Sequence, residues 1–411
     1  MDYSKYLSEE SKNRKPSPIR LLGPYVSKPG MISLGAGNPN PDTFPYASMQ
    51  LTLKNGETIQ VDAESFQKCL NYDLTSGFSP LNNWLKGLQQ TEHKPKVNIG
   101  LSIGVGSQDL ITKALQMFIN PGTPILVENP TYTGVLTFLK SQPCELVGIS
   151  TDGFGLIPEE LERILTEWPI DQKPRPQVIY IVPTGGNPTG ASATLERKKK
   201  IYSICQKFDI LIMEDDPYYY LQFREERTPS YFSLDTDGRV LRFDSLSKIL
   251  SSGLRIGFVT GPQFLIDQIN LHTMATNLQA SGVSQLMAYE LLNKWGYDGF
   301  FEHIKKTSSF YEEKAKVFEK YLNIHLKGIA EWSKIDAGMF YWIKLLGIDN
   351  SNQVIMKKAI ATNVLAVPGD AFLPNDEATP YVRLSFSNVS SENMDEGLRR
   401  LALVIKNEIN N

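Results

Sequence analysis

The chain has 411 residues, of which 41% are apolar and 21% charged, with a net charge of −3. This is the balance of a soluble globular protein with room for one large core or for two to three domains. The near-neutral charge excludes the basic footprint of a nucleic-acid binder, and no run of about 18 apolar residues is available to span a membrane.

Cys69, Cys144 and Cys205 are odd in number and lack CxxC spacing, which argues against a disulfide framework or a structural zinc site and favours a reducing compartment. The first twenty residues have no apolar signal core, and they mix Lys5, Lys12, Arg14, Lys15 and Arg20 with Asp2, Glu9 and Glu10. The expected location is the cytoplasm, with the mitochondrion as the alternative.

In chain order, residues 1–45 read as an arm: polar at first, then rich in proline and glycine, and laid along another surface. From about residue 98 strands and helices alternate. "SQDLITKALQMFI" is a helix capped by Ser107, with Leu110, Ile111, Ala114, Leu115 and Phe118 on one face. "TPILVENP", "PQVIYIVPT", "DILIMEDD", "RVLRFDS" and "LRIGFVTG" are five short buried strands. The helix "TLERKKKIYSICQKF" buries Ile201, Ile204, Cys205 and Phe208 and turns its run Arg197 to Lys200 toward water.

Long helices follow over 284–325. A smaller α+β unit ends in a helix capped by Ser391, with Met394, Leu398, Leu401 and Ile405 in one stripe. Apolar strands alternating with amphipathic helices predict an α/β fold with a mainly parallel sheet covered on both faces. The expected parts are the arm (1–45), a large α/β domain (46–310) and a small α+β domain (311–411), with a ligand cleft at the carboxyl ends of the strands.

Polar residues collect just past those strand ends. Tyr132 follows "ILVENP", Asn187 follows "IYIVPTGG", Asp215 closes "ILIMED" with Tyr218 three residues on, and "VLRFDSLS" leads to Lys248, with Arg255 seven residues later. This set has a chemical logic for pyridoxal 5′-phosphate. Lys248 can hold its aldehyde covalently, and the Asp215 carboxylate can keep the ring nitrogen protonated so that the ring draws electrons. Asn187 and Tyr218 can donate to the ring hydroxyl oxygen, and Tyr132 can stack on the ring. Arg255, Ser245 and Ser247 can hold the phosphate together with Ser107 and Gln108, which open a helix whose N-terminus attracts anions.

In order along the chain, "NPTG", "EDDPYY", "SLSK", "GLRIGF" and "YVRLSFS" resemble the class I aminotransferases, of the fold-type I PLP enzymes. "LTLKNGETIQ", "LERKKKIY", "AGMFYWIK" and "PGDAF" extend the resemblance, over essentially the whole chain, to the kynurenine/α-aminoadipate aminotransferases.

The resemblance implies a large domain with a seven-stranded-type, mainly parallel sheet, a smaller domain and an arm. It also implies a homodimer without nucleic-acid or membrane partners, acting on amino acids and 2-oxo acids. Arg383 of "YVRLSFS" would bind the substrate α-carboxylate with help from Asn187, Gly37 would lie against the substrate, and Arg20 would select its side chain. Tyr72 would reach the phosphate of the neighbouring subunit.

The implied reaction is ping-pong transamination of 2-aminoadipate, kynurenine or another aromatic or large amino acid, with 2-oxoglutarate as acceptor. Two departures, "PTGGNPTG" lacking an extra asparagine and Asn38 in place of an apolar residue, bear on the substrate rather than the cofactor. A C–S lyase or other β-eliminating enzyme shares the lysine–arginine spacing and is the alternative. An aminotransferase-like effector-binding regulator would need a winged-helix domain that the short arm does not supply. "GVGSQ" lacks the third glycine of a dinucleotide fingerprint.

Overall fold

Four strands pair in parallel, joined by helical crossovers. Leu211–Asp215 pairs with Val178–Ile181, that strand with Pro124–Asn129, and Pro124–Asn129 with Glu145–Asp152. The first two are buried along their whole length, as strands covered on both sides must be. Gly155–Leu156 adds an antiparallel edge.

The structure is a computed structural model describing residues 1–19, 22, 25, 28–35 and 37–410. It divides into two compact units: 1–120 with 235–301, and 121–234 with 302–411. The parallel strands belong to the second unit.

The crossover helix Leu195–Phe208 buries Ile201, Ile204, Cys205 and Phe208 as its pattern requires. Its basic run is not wholly wet, however. Lys198 is fully buried, its ammonium donating to the Pro229 carbonyl at 2.9 Å and lying 5.8 Å from the Tyr231 ring centre. A long apolar stem whose head group finds a carbonyl can occupy a core position that the charge alone assigns to solvent.

The same unit holds an antiparallel four-stranded sheet in the order Ala330–Trp332, Phe340–Leu345, Tyr381–Ser385, Val367–Pro368. Strand alternation sends Tyr341, Ile343, Leu345, Val382 and Leu384 into one core with Met394, Leu398, Leu401 and Ile405 of the last helix, Ser391–Ile409. The opposite face carries Phe340, Trp342, Lys344, Tyr381 and Arg383. That helix is capped by Ser390, one residue before the expected Ser391, through a side-chain oxygen that accepts from the Asn393 N–H.

In the first unit, Ile256–Pro262 runs antiparallel to Val240–Ser245 and to Ile99–Val105. A parallel return needs a crossover of roughly a dozen or more residues, and residues 246–255 are too few. Ile99–Val105 escapes a sequence reading because its small residues look like turn signals. They are close-packing positions: a Cβ at Gly104 would lie 2.5 Å from Leu110 Cγ, and one at Gly257 would collide with the Ser107 backbone nitrogen. The helix Ser107–Phe118 starts one residue past its cap, which is Gly106 at φ 82° and not Ser107.

Residues 3–14 are stitched to this unit. Tyr6 and Leu7 are buried, the Ser8 N–H donates to the Met117 carbonyl at 2.8 Å, and Ser11 Oγ lies 2.7 Å from His272 Nε2. The helical stretch Gly282–His325 is broken at Gly296, where φ is 59°.

Burial makes Glu128, on Pro124–Asn129, a pH-sensitive element of the parallel sheet. Its Oε2 accepts from the Val182 N–H at 2.8 Å, yet desolvation pushes its pKa up from 4.5 to about 8. The folded state therefore binds a proton that the unfolded state releases between those two values, so stability falls as pH rises through that window. Glu128→Gln is expected to flatten this decline, by at most about 1.4 kcal/mol per pH unit. Denaturant unfolding of both proteins across that same pH window checks it; equal slopes would refute it.

Candidate active site

The second unit gathers the groups past its parallel strand ends. Leu211–Asp215 ends on Asp215, which is 4% exposed and accepts from the Tyr180 hydroxyl at 2.6 Å. Tyr180 pairs in register with Met213 on the neighbouring strand, so it shares a sheet face with Asp215 two residues on. Sequence reasoning misses this tyrosine, because "VIYIV" reads simply as core. Glu214 is used elsewhere, its carboxylate accepting from the backbone N–H groups of Tyr231 and Phe232 at 2.7 and 3.1 Å. Of the acids in "EDD", then, Glu214 caps the short helix Tyr231–Leu234 and Asp215 faces a phenol.

Tyr218 is buried, and desolvation raises its pKa, followed by the charges of Asp215 and Tyr132, with Arg383 opposing them. These interactions place Asp215, Tyr132 and Arg383 within electrostatic reach of Tyr218. Tyr132 stands at the N-terminal end of the short helix Thr133–Leu139.

Arg383 Nη1 donates to Asn187 Oδ1 at 2.8 Å, joining residues 196 apart in the chain. The guanidinium lies 4.4 Å from the Phe340 ring centre and 5.1 Å from that of Phe372. Sequence reasoning misses these two aromatics as well, because only folding brings them to the arginine. Burial lowers the Arg383 pKa, and its Nε is buried with no hydrogen-bond partner among the described residues. No carboxylate among the described residues pairs with it. A desolvated cation held between aromatic faces and an amide is built to receive an anion.

The first unit presents an anion cradle and a lysine. The turn Gly106–Ser107 opens the helix Ser107–Phe118, with Ser107 and Gln108 half-buried at its start. In register, Val105 faces Ile256, and a Cβ at Gly257 would collide with the Ser107 backbone, so the strand that follows Arg255 runs against this turn. The Arg255 guanidinium leans over Gly106, where an added Cβ would collide with its Nη2. Arg255 is exposed, in the left-handed region at φ 53°, and donates to the Ser252 carbonyl at 3.2 Å. Ser245 Oγ accepts from the Ser247 N–H at 3.2 Å and caps the turn Leu246–Lys248, at whose end Lys248 is half-buried.

Two expected residues are not joined to these groups, and a third is not described. Tyr72 is 54% exposed, and its phenol makes no hydrogen bond among the described residues. Gly37 is exposed with nothing within 4 Å of where a Cβ would stand. Arg20 lies outside the described residues.

Comparison with known proteins gives the lineage. Residues 29–401 match the family described as aminotransferase class I and II. The mitochondrial kynurenine/α-aminoadipate aminotransferase of Mus musculus is 43% identical over 425 aligned positions, with 100% of both chains covered. Aminotransferase tdiD of Emericella nidulans is 41% identical, covering 98% of this chain and 95% of that one.

Among solved structures, aminotransferase Aro8 from Candida albicans superposes with a TM-score of 0.91 at 28% identity, covering 100% and 99% of the two chains. The Pyrococcus horikoshii kynurenine aminotransferase, solved with PMP and kynurenine, superposes at 0.77 with 29% identity over 99% and 98%. The fold is therefore that of the class I aminotransferases, and this chain belongs to the aminotransferase class I and II family and is an aminotransferase.

Proposed function

We propose that the enzyme is pyridoxal 5′-phosphate-dependent and carries out ping-pong transamination of a large L-amino acid. The donor is 2-aminoadipate, kynurenine or another aromatic amino acid, and 2-oxoglutarate is the acceptor. The observation that carries this reading is the Arg383–Asn187 pair: a buried guanidinium without a carboxylate partner among the described residues, aligned by an amide and two aromatic faces. The names of the full-length relatives support the donor class.

The residues fit the cofactor. The Gly106–Arg255 cradle, where an added Cβ would collide with the guanidinium, offers backbone N–H groups and a cation suited to a phosphate. Asp215, held by the Tyr180 hydroxyl, suits a protonated ring nitrogen. When bound, pyridoxal 5′-phosphate supplies an aldehyde that takes up the amino group and a ring that draws electron density from the substrate Cα.

The chain's own groups do the rest. Lys248 Nζ would hold the cofactor's aldehyde and, once free, would serve as the base that moves the proton at the substrate Cα. Arg383 and Asn187 hold the α-carboxylate, which fixes the Cα–H bond for that transfer. Tyr218 and Asn187 would donate to the ring hydroxyl oxygen, and Tyr132 would cover one ring face. Ser107, Gln108, Ser245, Ser247 and Arg255 would hold the phosphate.

From the 1–45 arm, Gly37 lies against the substrate and Arg20 selects its side chain. The continuous core from Ala315 to Ile405 supports a small domain over 311–411, with the large domain at 46–310.

The working unit is a homodimer, with Tyr72 completing the neighbour's phosphate site. Ile32, Leu34, Tyr46 and Leu74, exposed by 84%, 96%, 63% and 54%, supply an apolar surface for a second copy to cover. Among the described residues no helix is long and apolar enough to cross a membrane. We place the enzyme in the cytoplasm or, as the names of its relatives support, in the mitochondrion.

Purified protein is expected to show the visible band of lysine-bound cofactor, bleached only by true donors. Lys248→Ala is expected to lack the band and to lose activity by about a thousandfold or more. An unchanged band in that variant would overturn the assignment, and ammonia with pyruvate in place of transamination would redirect it to β-elimination.

Arg383→Ala is expected to raise KM for every donor by about tenfold or more, whereas Arg20→Ala reorders the donors. Equal loss of all donors in both variants would contradict this division. Gly106→Ala, strained and crowding Arg255, is expected to weaken cofactor retention during gel filtration without moving the far-UV circular dichroism.

A further inference from the structure

Trp342 and Arg383 stand directly opposite each other on the paired strands Phe340–Leu345 and Tyr381–Ser385, as do Lys344 and Tyr381 two rungs further on. Directly opposed residues share a face of the sheet. The face that presents Arg383 to the candidate site therefore continues past Trp342 to Tyr381 and Lys344. There it opens into a separate cavity of about 510 Å³, within the usual size of a small-molecule site.

The cavity backs onto the segments that carry the candidate site. Its lining includes Asn129, three residues before Tyr132; Thr189, two after Asn187; and Trp342, opposite Arg383.

Its chemistry is specific. Trp342 and Tyr381 stack with ring centres 5.2 Å apart and planes 7° from parallel, a flat platform for a further planar ring. Lys344 and Glu331 line the same space and face each other in strand register. Neither has a hydrogen bond or ion pair among the described residues. The other acid of the lining, Asp152, is already engaged by the Arg197 guanidinium. An aromatic platform beside one unengaged cation and one unengaged anion complements a ligand carrying a planar ring, a carboxylate and an ammonium group together.

We propose that this cavity is a second binding site for an aromatic amino acid, distinct from the site at Arg383. The ring stacks on the Trp342–Tyr381 platform, Lys344 takes the carboxylate and Glu331 takes the ammonium. The site is coupled to the carboxylate anchor by one side chain. Phe372 meets Trp342 edge-on at 5.5 Å and lies with its ring centre 5.1 Å from the Arg383 guanidinium. A ligand on Trp342 thus loads the packing that holds Arg383, and its occupancy modulates binding at the anchor.

The test is calorimetric titration of the holoenzyme with α-methyl-L-tryptophan, which lacks the Cα hydrogen and so cannot be transaminated. Two sites per chain are expected in wild type. Lys344→Gln and Glu331→Gln are each expected to weaken one of them by about tenfold or more, with activity toward the non-aromatic donor 2-aminoadipate unchanged in the absence of the probe. Arg383→Gln is expected to weaken the other. Indole-3-propionate and tryptamine, each lacking one charge, are expected to bind the Lys344 site at least about tenfold more weakly.

A single site that survives Lys344→Gln and is lost in Arg383→Gln would overturn the proposal, as would equal binding of all three probes at a second site. Loss of one site in Lys344→Gln, with both retained in Arg383→Gln, would uphold it while refuting the carboxylate role of Arg383.

Discussion

Parallel pairing is the constraint from which the second unit's chemistry follows. A strand that must return in the same direction needs a crossover, the crossover covers the sheet, and every strand then ends on the same edge. Asp215 and the loops leading to Tyr132 and Asn187 leave that edge from three adjacent strands. Tyr132 and Tyr218, far apart in the chain, thereby come within electrostatic reach, with no contact needing to be specified between them in the sequence. The antiparallel sheet of the same unit supplies the remaining cation, because strand alternation that buries Val382 and Leu384 must turn Arg383 the other way.

Desolvation sets the roles of the ionisable groups. Glu128, Glu214 and Asp215 are all buried acids, but each has a different solution. Glu128 accepts a backbone hydrogen bond and is still pushed toward its neutral form. Glu214 directs its carboxylate at two backbone N–H groups. Asp215 accepts from a phenol, a neutral donor that steadies the carboxylate and fixes its orientation without cancelling its charge. Arg383 is the complementary case: a cation whose own pKa burial lowers, kept charged by guanidinium chemistry and cushioned by aromatic faces. Buried charge of this kind costs stability in the free protein, and the arrival of an anion offsets that cost.

Close backbone approach plays the corresponding part in the first unit. The turn at Gly106, the start of the helix Ser107–Phe118 and the strand Ile256–Pro262 meet so tightly that Gly257 leaves no space for a side chain. The helix N-terminus and the Arg255 guanidinium are consequently on neighbouring pieces of chain. The same small residues that make this possible obscure the strand Ile99–Val105 in a sequence reading, since glycine and serine at alternate positions read as turn signals. Local propensity yields to packing there, as charge does at Lys198, whose aliphatic stem and carbonyl partner suit a core position.

Elements and chemical inventory were legible in the chain alone. Hydrophobic periodicity locates five strands and the amphipathic helices. The ordered motifs around Asn187, Asp215, Lys248, Arg255 and Arg383 identify the family, because residue type and order belong to the chain before it folds. Whatever proximity sets had to wait for folding: the antiparallel run of Ile256–Pro262, the Tyr180 hydroxyl on Asp215, and the assignment of Glu214 to a cap. The aromatic clamp of Phe340 and Phe372 on Arg383 and the Trp342–Tyr381 platform behind it are of the same kind. These depend on strand register and on which small residues admit a neighbour, and neither is encoded within a local window of sequence.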